Sequence, residues 1–140
     1  MAIILDGLAV SNYIKEQLLN FRKDNKECSP CLVVIRFGCN KDDISYQKSA
    51  EKKCKEFGIQ FNLIEIDRAE KTNRFIDIFD KINKDDSVDG IIIMGEYPND
   101  TIKEYVQRNI IPRKDMDGIG YENIAKLYSN DKSVIVPCTV

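Results

Sequence analysis

Three short apolar runs, each separated from the next by a helical pattern, constrain the fold of this 140-residue chain more than any other feature. The runs are Cys31 to Phe37, Ile59 to Ile66 and Ile91 to Met94. The first and third are rich in β-branched residues and almost wholly apolar, which is typical of buried strands. Strands that alternate with helices at this spacing indicate βαβ units. We therefore predict a three-layer α/β fold with a mainly parallel sheet and helices on both faces.

Helices are predicted around these strands from apolar residues that recur near the 3.6-residue period. In parallel sheets of this kind, ligands bind beyond the carboxyl ends of the strands, so the loops that follow each strand are the places to search for a site. The predicted helices are Ala9 to Lys26, a second capped by Asp42 or Asp43 and ended by Gly58, a third capped by Thr72 or Asn73, Thr101 to about Arg108, and Asn123 to Tyr128.

Composition excludes several classes of function. The chain has no histidine, so it lacks the commonest general base and metal ligand, and acid–base chemistry must use other side chains. The net charge is −2 and the basic residues are scattered, so we expect no nucleic-acid partner. No apolar run approaches the roughly 18 residues of a membrane span, and no secretory signal is present. We therefore expect a cytoplasmic protein that has no membrane partner.

Two local motifs do not predict a functional site. Cys28 and Cys31 have CxxC spacing, but the pair precedes a strand, whereas a redox motif follows one. A zinc site would need a second such pair, which the five cysteines do not supply, so we expect no metal. Gly118 and Gly120 do not complete a GxGxxG fingerprint, so a dinucleotide site within this chain is not expected.

The segment Lys114 to Gly118 places two acids, Asp115 and Asp117, in a tight loop. Aspartate and glycine are natural turn residues, so a surface turn is one interpretation. The other is a carboxylate that binds a donor-rich ring edge, because a carboxylate accepts two parallel hydrogen bonds well. The loop by itself does not decide between them.

An ordered set of motifs along nearly the whole chain resembles the methylenetetrahydrofolate dehydrogenase/cyclohydrolase family, the bifunctional FolD enzymes of one-carbon metabolism. Each motif is weak alone, and the specificity lies in their order and spacing. The set comprises Leu5-Asp6-Gly7, Pro30 to Gly38, Tyr46, Cys54, Gly58-Ile59, Val88 to Ile93, Pro98, Pro112 to Gly118, Asn123 and Pro137-Cys138-Thr139.

The resemblance implies a folate-binding domain at residues 1–136, with residues 137–140 beginning the segment that leads to an NAD(P)-binding domain outside this chain. It also implies that the substrate is a tetrahydrofolate derivative and that the full-length protein is a homodimer. Tyr46 would stack on the aromatic part of the folate, Asp117 would accept hydrogen bonds from the pterin amino edge, and Pro98 would line the site. NAD(P) would enter only through the second domain, so the chain alone would be inactive.

Two departures from the family pattern affect catalysis. The family has a lysine four residues after the tyrosine, which transfers the proton in the cyclohydrolase step, and here that position is Ala50. The family glutamine that hydrogen-bonds this lysine is here Met94. No catalytic residue is therefore intact, and we expect the cyclohydrolase step to be impaired. Lys53, three residues further along, is a weak candidate substitute because transfer geometry tolerates little displacement.

Two other hypotheses remain open at this stage. One is a non-catalytic descendant of the family that binds a ligand or a partner protein. The other is an unrelated α/β binding domain, because one fold hosts many functions.

Overall fold

The computed structural model describes residues 7–137, and its centre is a three-stranded parallel sheet. The strands are β1 (Cys31–Phe37), β2 (Gln60–Ile66) and β3 (Gly90–Met94), in the order β2-β1-β3. The helices are α1 (Gly7–Asp24), α2 (Lys41–Phe57), α3 (Thr72–Lys84), α4 (Asp100–Asn109) and α5 (Tyr121–Tyr128), with a 3₁₀ turn at Pro112–Lys114. The predicted α/β class and parallel sheet are confirmed.

The main core lies between one face of the sheet and helices α3 and α4. Alternate residues of β1 point to this face, and the Phe37 ring lies 5.2 Å from that of Phe75 on α3. Burying such aromatic and branched side chains is the main source of stability for the domain. The members of this core include Val33, Ile35, Phe37, Ile66, Phe75, Phe79, Ile91, Ile102 and Val106.

The opposite face of the sheet is covered by α2, and α1 lies beside α2 at the outside. No residue of α1 is buried, and its Lys15 forms an ion pair with Glu56 of α2. Its large apolar side chains remain exposed, including Tyr13 at 63% and Phe21 at 54%. The predicted three layers are therefore present, but the layer of α1 and α2 is less tightly packed than that of α3 and α4.

The predicted helix starts are displaced by one to three residues, and for α2 and α4 the capping bonds explain why. Asn40, rather than Asp42 or Asp43, caps α2, because its side-chain oxygen accepts a hydrogen bond from the Asp42 amide at 2.9 Å. Asn99 caps α4 in the same manner by accepting from the Ile102 amide. Gly58 ends α2 in the left-handed conformation, as predicted.

The cap predicted for α3 is absent. Lys71 occupies the cap position, and its side chain makes no capping bond. The Thr72 hydroxyl instead accepts a hydrogen bond from the Asn99 side chain at 3.3 Å, so it links the start of α3 to the start of α4. Within residues 7–137, no helix is long and apolar enough to cross a membrane.

A short segment after the 3₁₀ turn runs along the outer edge of β3. Asp115 pairs with Ile91 as an isolated parallel bridge, and the Met116 amide donates to the Ile91 carbonyl at 3.2 Å. β3 is thus protected at its outer edge, and the bridge fixes where the following residue, Asp117, leaves the sheet.

Candidate functional site

The residues singled out from the sequence come from three elements at the carboxyl edge of the sheet. Tyr46 and Ala50 lie on α2, Met94 is the last residue of β3, and Asp117 follows the segment that pairs with β3. Pro98 lies half-buried in the loop between β3 and α4. The topology therefore collects these positions at the edge where parallel sheets bind ligands.

Ala50 and Met94 face the same space between α2 and the sheet. Ala50 lies three residues after Gln47 and four before Cys54, both of which are buried on the inward side of α2. Met94 is 5% exposed and points to the α2 side of the sheet, since side chains alternate along β3 and a side chain at Gly90 would contact Leu32 on that side. The two departures from the family pattern thus lie on facing sides of α2 and the sheet.

A tight backbone approach holds the end of β3 against the start of α2. Gly95 has a φ of 86°, and a Cβ atom there would lie 2.8 Å from the Phe37 carbonyl oxygen and 3.3 Å from an Asp43 carboxylate oxygen. Only glycine meets both demands without strain. This approach fixes the distance between α2 and the residue that precedes Gly95, Met94.

Tyr46 is 61% exposed, and within residues 7–137 its side chain makes no hydrogen bond or ring contact. Its position is therefore set by the backbone of α2 alone. An exposed ring of this kind at a cleft edge can stack against a planar ligand.

Asp117 is half-buried, and burial is the main reason that the pKa of its carboxyl group lies above the ordinary value. The negative charge of Asp115 adds to the shift. Burial, with a smaller contribution from the negative charges of Asp115 and Asp117, also holds the pKa of the Tyr97 phenol well above its usual range. Asp117 is thus a partly buried carboxylate with an acidic neighbour, a combination that is common in ligand-binding and catalytic sites.

The segment that carries Asp117 is rigidly held, and the surface-turn interpretation of it is wrong. Lys114 is wholly buried, and Asp115 is 1% exposed. The Asp115 carboxylate accepts hydrogen bonds from the amides of Ile119 and Gly120 and from the Asn123 side chain, at 2.8–3.1 Å. Because the buried Asp115 carboxylate accepts these three hydrogen bonds, the loop is restrained to one conformation.

Two open clefts also lie at this edge, but neither is lined by Tyr46, Ala50, Met94, Pro98 or Asp117. The first, about 380 Å³, lies where all three strands end, and its wall includes Cys39 and the exposed ion pair of Arg68 with Glu96. The second, about 490 Å³, lies between the ends of β1 and β2. The predicted residues therefore form an open wall beside these clefts rather than a closed pocket.

Lys53 does not approach the vacated lysine position. Its ammonium lies 3.3 Å from Glu56, and its side chain, 60% exposed, lines the groove between α2 and α1. It is therefore turned away from the cleft edge.

The described cysteines do not form a common site. Cys28 is exposed, Cys31 is buried, and the part of the chain described contains no group of side chains suited to a metal ion.

A buried polar cluster beneath α2 was not predicted from the sequence. Arg36 is 3% exposed and Gln47 is 7% exposed, and the Arg36 Nε atom donates to Gln47 Oε1 at 3.1 Å. The signal was present in the sequence, because Arg36 is the one charged residue in the run CLVVIRF.

The fold is that of an α/β domain with open clefts at the carboxyl edge of its parallel sheet. The tetrahydrofolate dehydrogenase/cyclohydrolase catalytic-domain model matches residues 5–117, and the chain belongs to this family. It corresponds to the amino-terminal, catalytic domain of the FolD proteins. Of the motif set, Leu5, Asp6, Cys138 and Thr139 lie outside the described residues.

Individual relatives agree with this assignment. The bifunctional protein FolD of Clostridium tetani is 33% identical over 142 residues, which covers 99% of this chain and 51% of that protein. The 5,10-methylenetetrahydrofolate dehydrogenase of the silkworm Bombyx mori has a similar structure, with a TM-score of 0.86, 31% identity, and coverage of 99% of this chain and 49% of that one. The FolD structure from Campylobacter jejuni is similar with a TM-score of 0.81 and 35% sequence identity. The match covers 96% of this chain and 48% of that one. The chain spans about half the length of the curated relatives it matches.

Proposed function

We propose that this chain is the folate-binding domain of a methylenetetrahydrofolate dehydrogenase/cyclohydrolase-type enzyme of one-carbon metabolism, with an impaired cyclohydrolase step. The observation that carries the proposal is the joint presence of Ala50 and Met94 on facing elements at the cleft edge. In this proposal Tyr46, Pro98 and Asp117 remain as substrate contacts.

Each proposed contact residue would bind a different part of the folate. The Asp117 carboxylate would accept two hydrogen bonds from the pterin amino edge, an arrangement that favours its ionised form. The Tyr46 ring would cover the aromatic part of the folate, and Pro98 would bound the site. The Ala50 side chain cannot transfer a proton, and Met94 has no amide to orient a group that could, so neither position supplies the proton-transfer function for hydrolysis of the methenyl bridge.

The same proposal assigns residues 1–136 to the folate domain and residues 137–140 to the approach to a cofactor domain. A dehydrogenase needs a hydride acceptor, here NAD(P), whose chemistry belongs mainly to the cofactor. The residues described here do not fit NAD(P), because each of the three strand-to-helix turns contains at most one glycine and lacks the glycine-rich pyrophosphate turn. The cofactor would therefore bind outside this chain, in a cytoplasmic homodimer of the full-length protein.

Calorimetric titration of the 140-residue chain with tetrahydrofolate tests the proposal. We expect Asp117→Ala to weaken binding by about 10- to 100-fold, because hydrogen bonds to a charged group contribute about 1.5–3 kcal/mol. Asp77→Ala is the matched control, since Asp77 is exposed on α3 at the opposite face. Absence of binding, or equal effects of the two variants, would contradict the proposal.

Binding should also depend on pH through Asp117. Its pKa is raised above the ordinary 3.8, so as the pH falls the carboxylate takes up a proton earlier than a free aspartate does. Only the ionised form accepts both hydrogen bonds, so affinity should fall about tenfold per pH unit once the pH is below this raised pKa. Titrations over an acidic pH series measure the effect. Asp117→Asn should show a flatter profile, and identical profiles for the two proteins would refute the assignment.

A non-catalytic descendant of the family is the second candidate, and the loss of both catalytic side chains favours it. Such a protein would bind folate with the same dependence on Asp117. It would show no hydride transfer in its intact form, which an assay with methylenetetrahydrofolate and NAD(P) distinguishes.

A further inference from the structure

A buried guanidinium lies in the floor of the cleft edge, beneath α2. Arg36 is the penultimate residue of β1, and its backbone is paired in register with Glu65 of β2 on one side and Met94 of β3 on the other. Paired residues on adjacent strands point to the same face, so Arg36 lies in one row with Met94.

The guanidinium joins three elements through its separate donors. Nε donates to Gln47 on α2 at 3.1 Å, one terminal nitrogen donates to the Gly38 carbonyl, and the other bonds to the Glu65 carboxylate. Because the guanidinium is planar and rigid, these bonds fix α2, the turn after β1, and β2 relative to one another.

Stability alone does not account for this arrangement. The guanidinium is taken out of water, while its acidic partner Glu65 remains 63% exposed. An apolar side chain at position 36 would fill the same place without the loss of hydration. The buried Arg36 network is therefore better explained by its fixing the position of α2 on the sheet than by a contribution to stability.

Gln47 is the point at which the network holds α2, and it lies directly after Tyr46 and one turn before Ala50. A lysine at position 50 bonded to a glutamine at position 94, as in the family pattern, would link α2 to β3. Here that link is absent. The Gln47–Arg36 hydrogen bond instead links α2 to β1, the strand next to β3, from a position about one helical turn before Ala50.

We propose that Arg36 is a positioning residue that acts through Gln47. It holds the first two turns of α2, and hence the Tyr46 ring, in place of the link lost between positions 50 and 94. The part that concerns folate rests on the proposed function, whereas the part that concerns α2 does not.

Hydrogen exchange of the ligand-free chain tests the link directly. Arg36→Lys retains the positive charge but loses the planar guanidinium with its separate donors. Gln47→Leu removes the side-chain oxygen that accepts from Arg36 Nε. In each we expect the amides of residues 44–50 to exchange about tenfold faster or more, with Val34 and Ile35 in β1 unchanged. Gln47→Glu retains an acceptor and should preserve wild-type exchange, as should Glu65→Gln.

Tetrahydrofolate titration of the same variants completes the test, with affinity expected to fall about tenfold in Arg36→Lys and Gln47→Leu only. Equal acceleration in β1 and α2 would show a merely structural role and overturn the proposal. Faster exchange in α2 with unaltered affinity would overturn it as well. If the wild-type chain binds no folate, the proposed function fails, and the exchange of α2 alone confirms or refutes the link.

Discussion

Replacing Lys114 with alanine is expected to lower the free energy of unfolding by about 3–5 kcal/mol, a large part of the stability of a small domain. The side chain is wholly buried, and its ammonium donates to the carbonyls of Asn83 and Asp85 at 2.8 and 2.6 Å. These carbonyls lie at the end of α3, where helical partners are missing. Alanine would leave both carbonyls without this donor and a cavity beside them.

Urea unfolding followed by circular dichroism measures the effect, with Lys114→Met as a graded variant. Methionine fills most of the volume but donates no hydrogen bond, so its loss should be smaller, about 1–3 kcal/mol. Lys103→Ala is the control, since Lys103 is exposed on α4 and its removal should change stability by no more than about 0.5 kcal/mol. Equal effects at positions 103 and 114 would be inconsistent with a structural role for the buried lysine.

Restoring the two family side chains, by Ala50→Lys with Met94→Gln, is expected to accelerate methenyltetrahydrofolate hydrolysis by the intact protein about 10²- to 10⁴-fold. That range is the usual contribution of a positioned general acid or base. The new lysine would face the sheet beside position 94, where the glutamine could orient it. Loss of methenyl absorbance with time measures the rate.

The matched control is Ser49→Lys, which adds the same charge one residue earlier, at an exposed position of α2. It should leave hydrolysis at the wild-type level. The double variant must retain tetrahydrofolate binding and normal circular dichroism, so that a missing gain cannot be attributed to misfolding. A double variant that binds folate but hydrolyses no faster than wild type would refute our account of the defect.

The sequence was sufficient for the order of elements because periodicity reports burial directly. β1 was predicted to the residue, since Pro30 and Gly38 bound an uninterrupted apolar run. Helix starts were less predictable, because Asn40 and Asp42 are both good capping residues. Which of them caps α2 depends on the turn after β1, and that turn is set by the packing of Gly38 and Gly95.

Sequence motifs predicted Tyr46, Ala50, Met94 and Asp117 as candidate site residues, but they carry no information on what surrounds these side chains. The burial of Lys114 was missed because its two acceptors are backbone carbonyls 29 and 31 residues away, which leave no trace in side-chain patterns. The Arg36–Gln47 pair was missed for a similar reason. A charged residue in a strand and an amide in a helix become informative only when the fold brings them together.

The two edges of the sheet differ in their exposure to aggregation. The bridge from Asp115 to Ile91 covers part of the outer edge of β3 and hinders strand addition there. The outer edge of β2 has no such bridge among the described residues, and Asn62 and Glu65 are exposed there. A charge and an amide at the β2 edge oppose flat stacking. At the β3 edge, the segment that positions Asp117 also hinders self-association of the sheet.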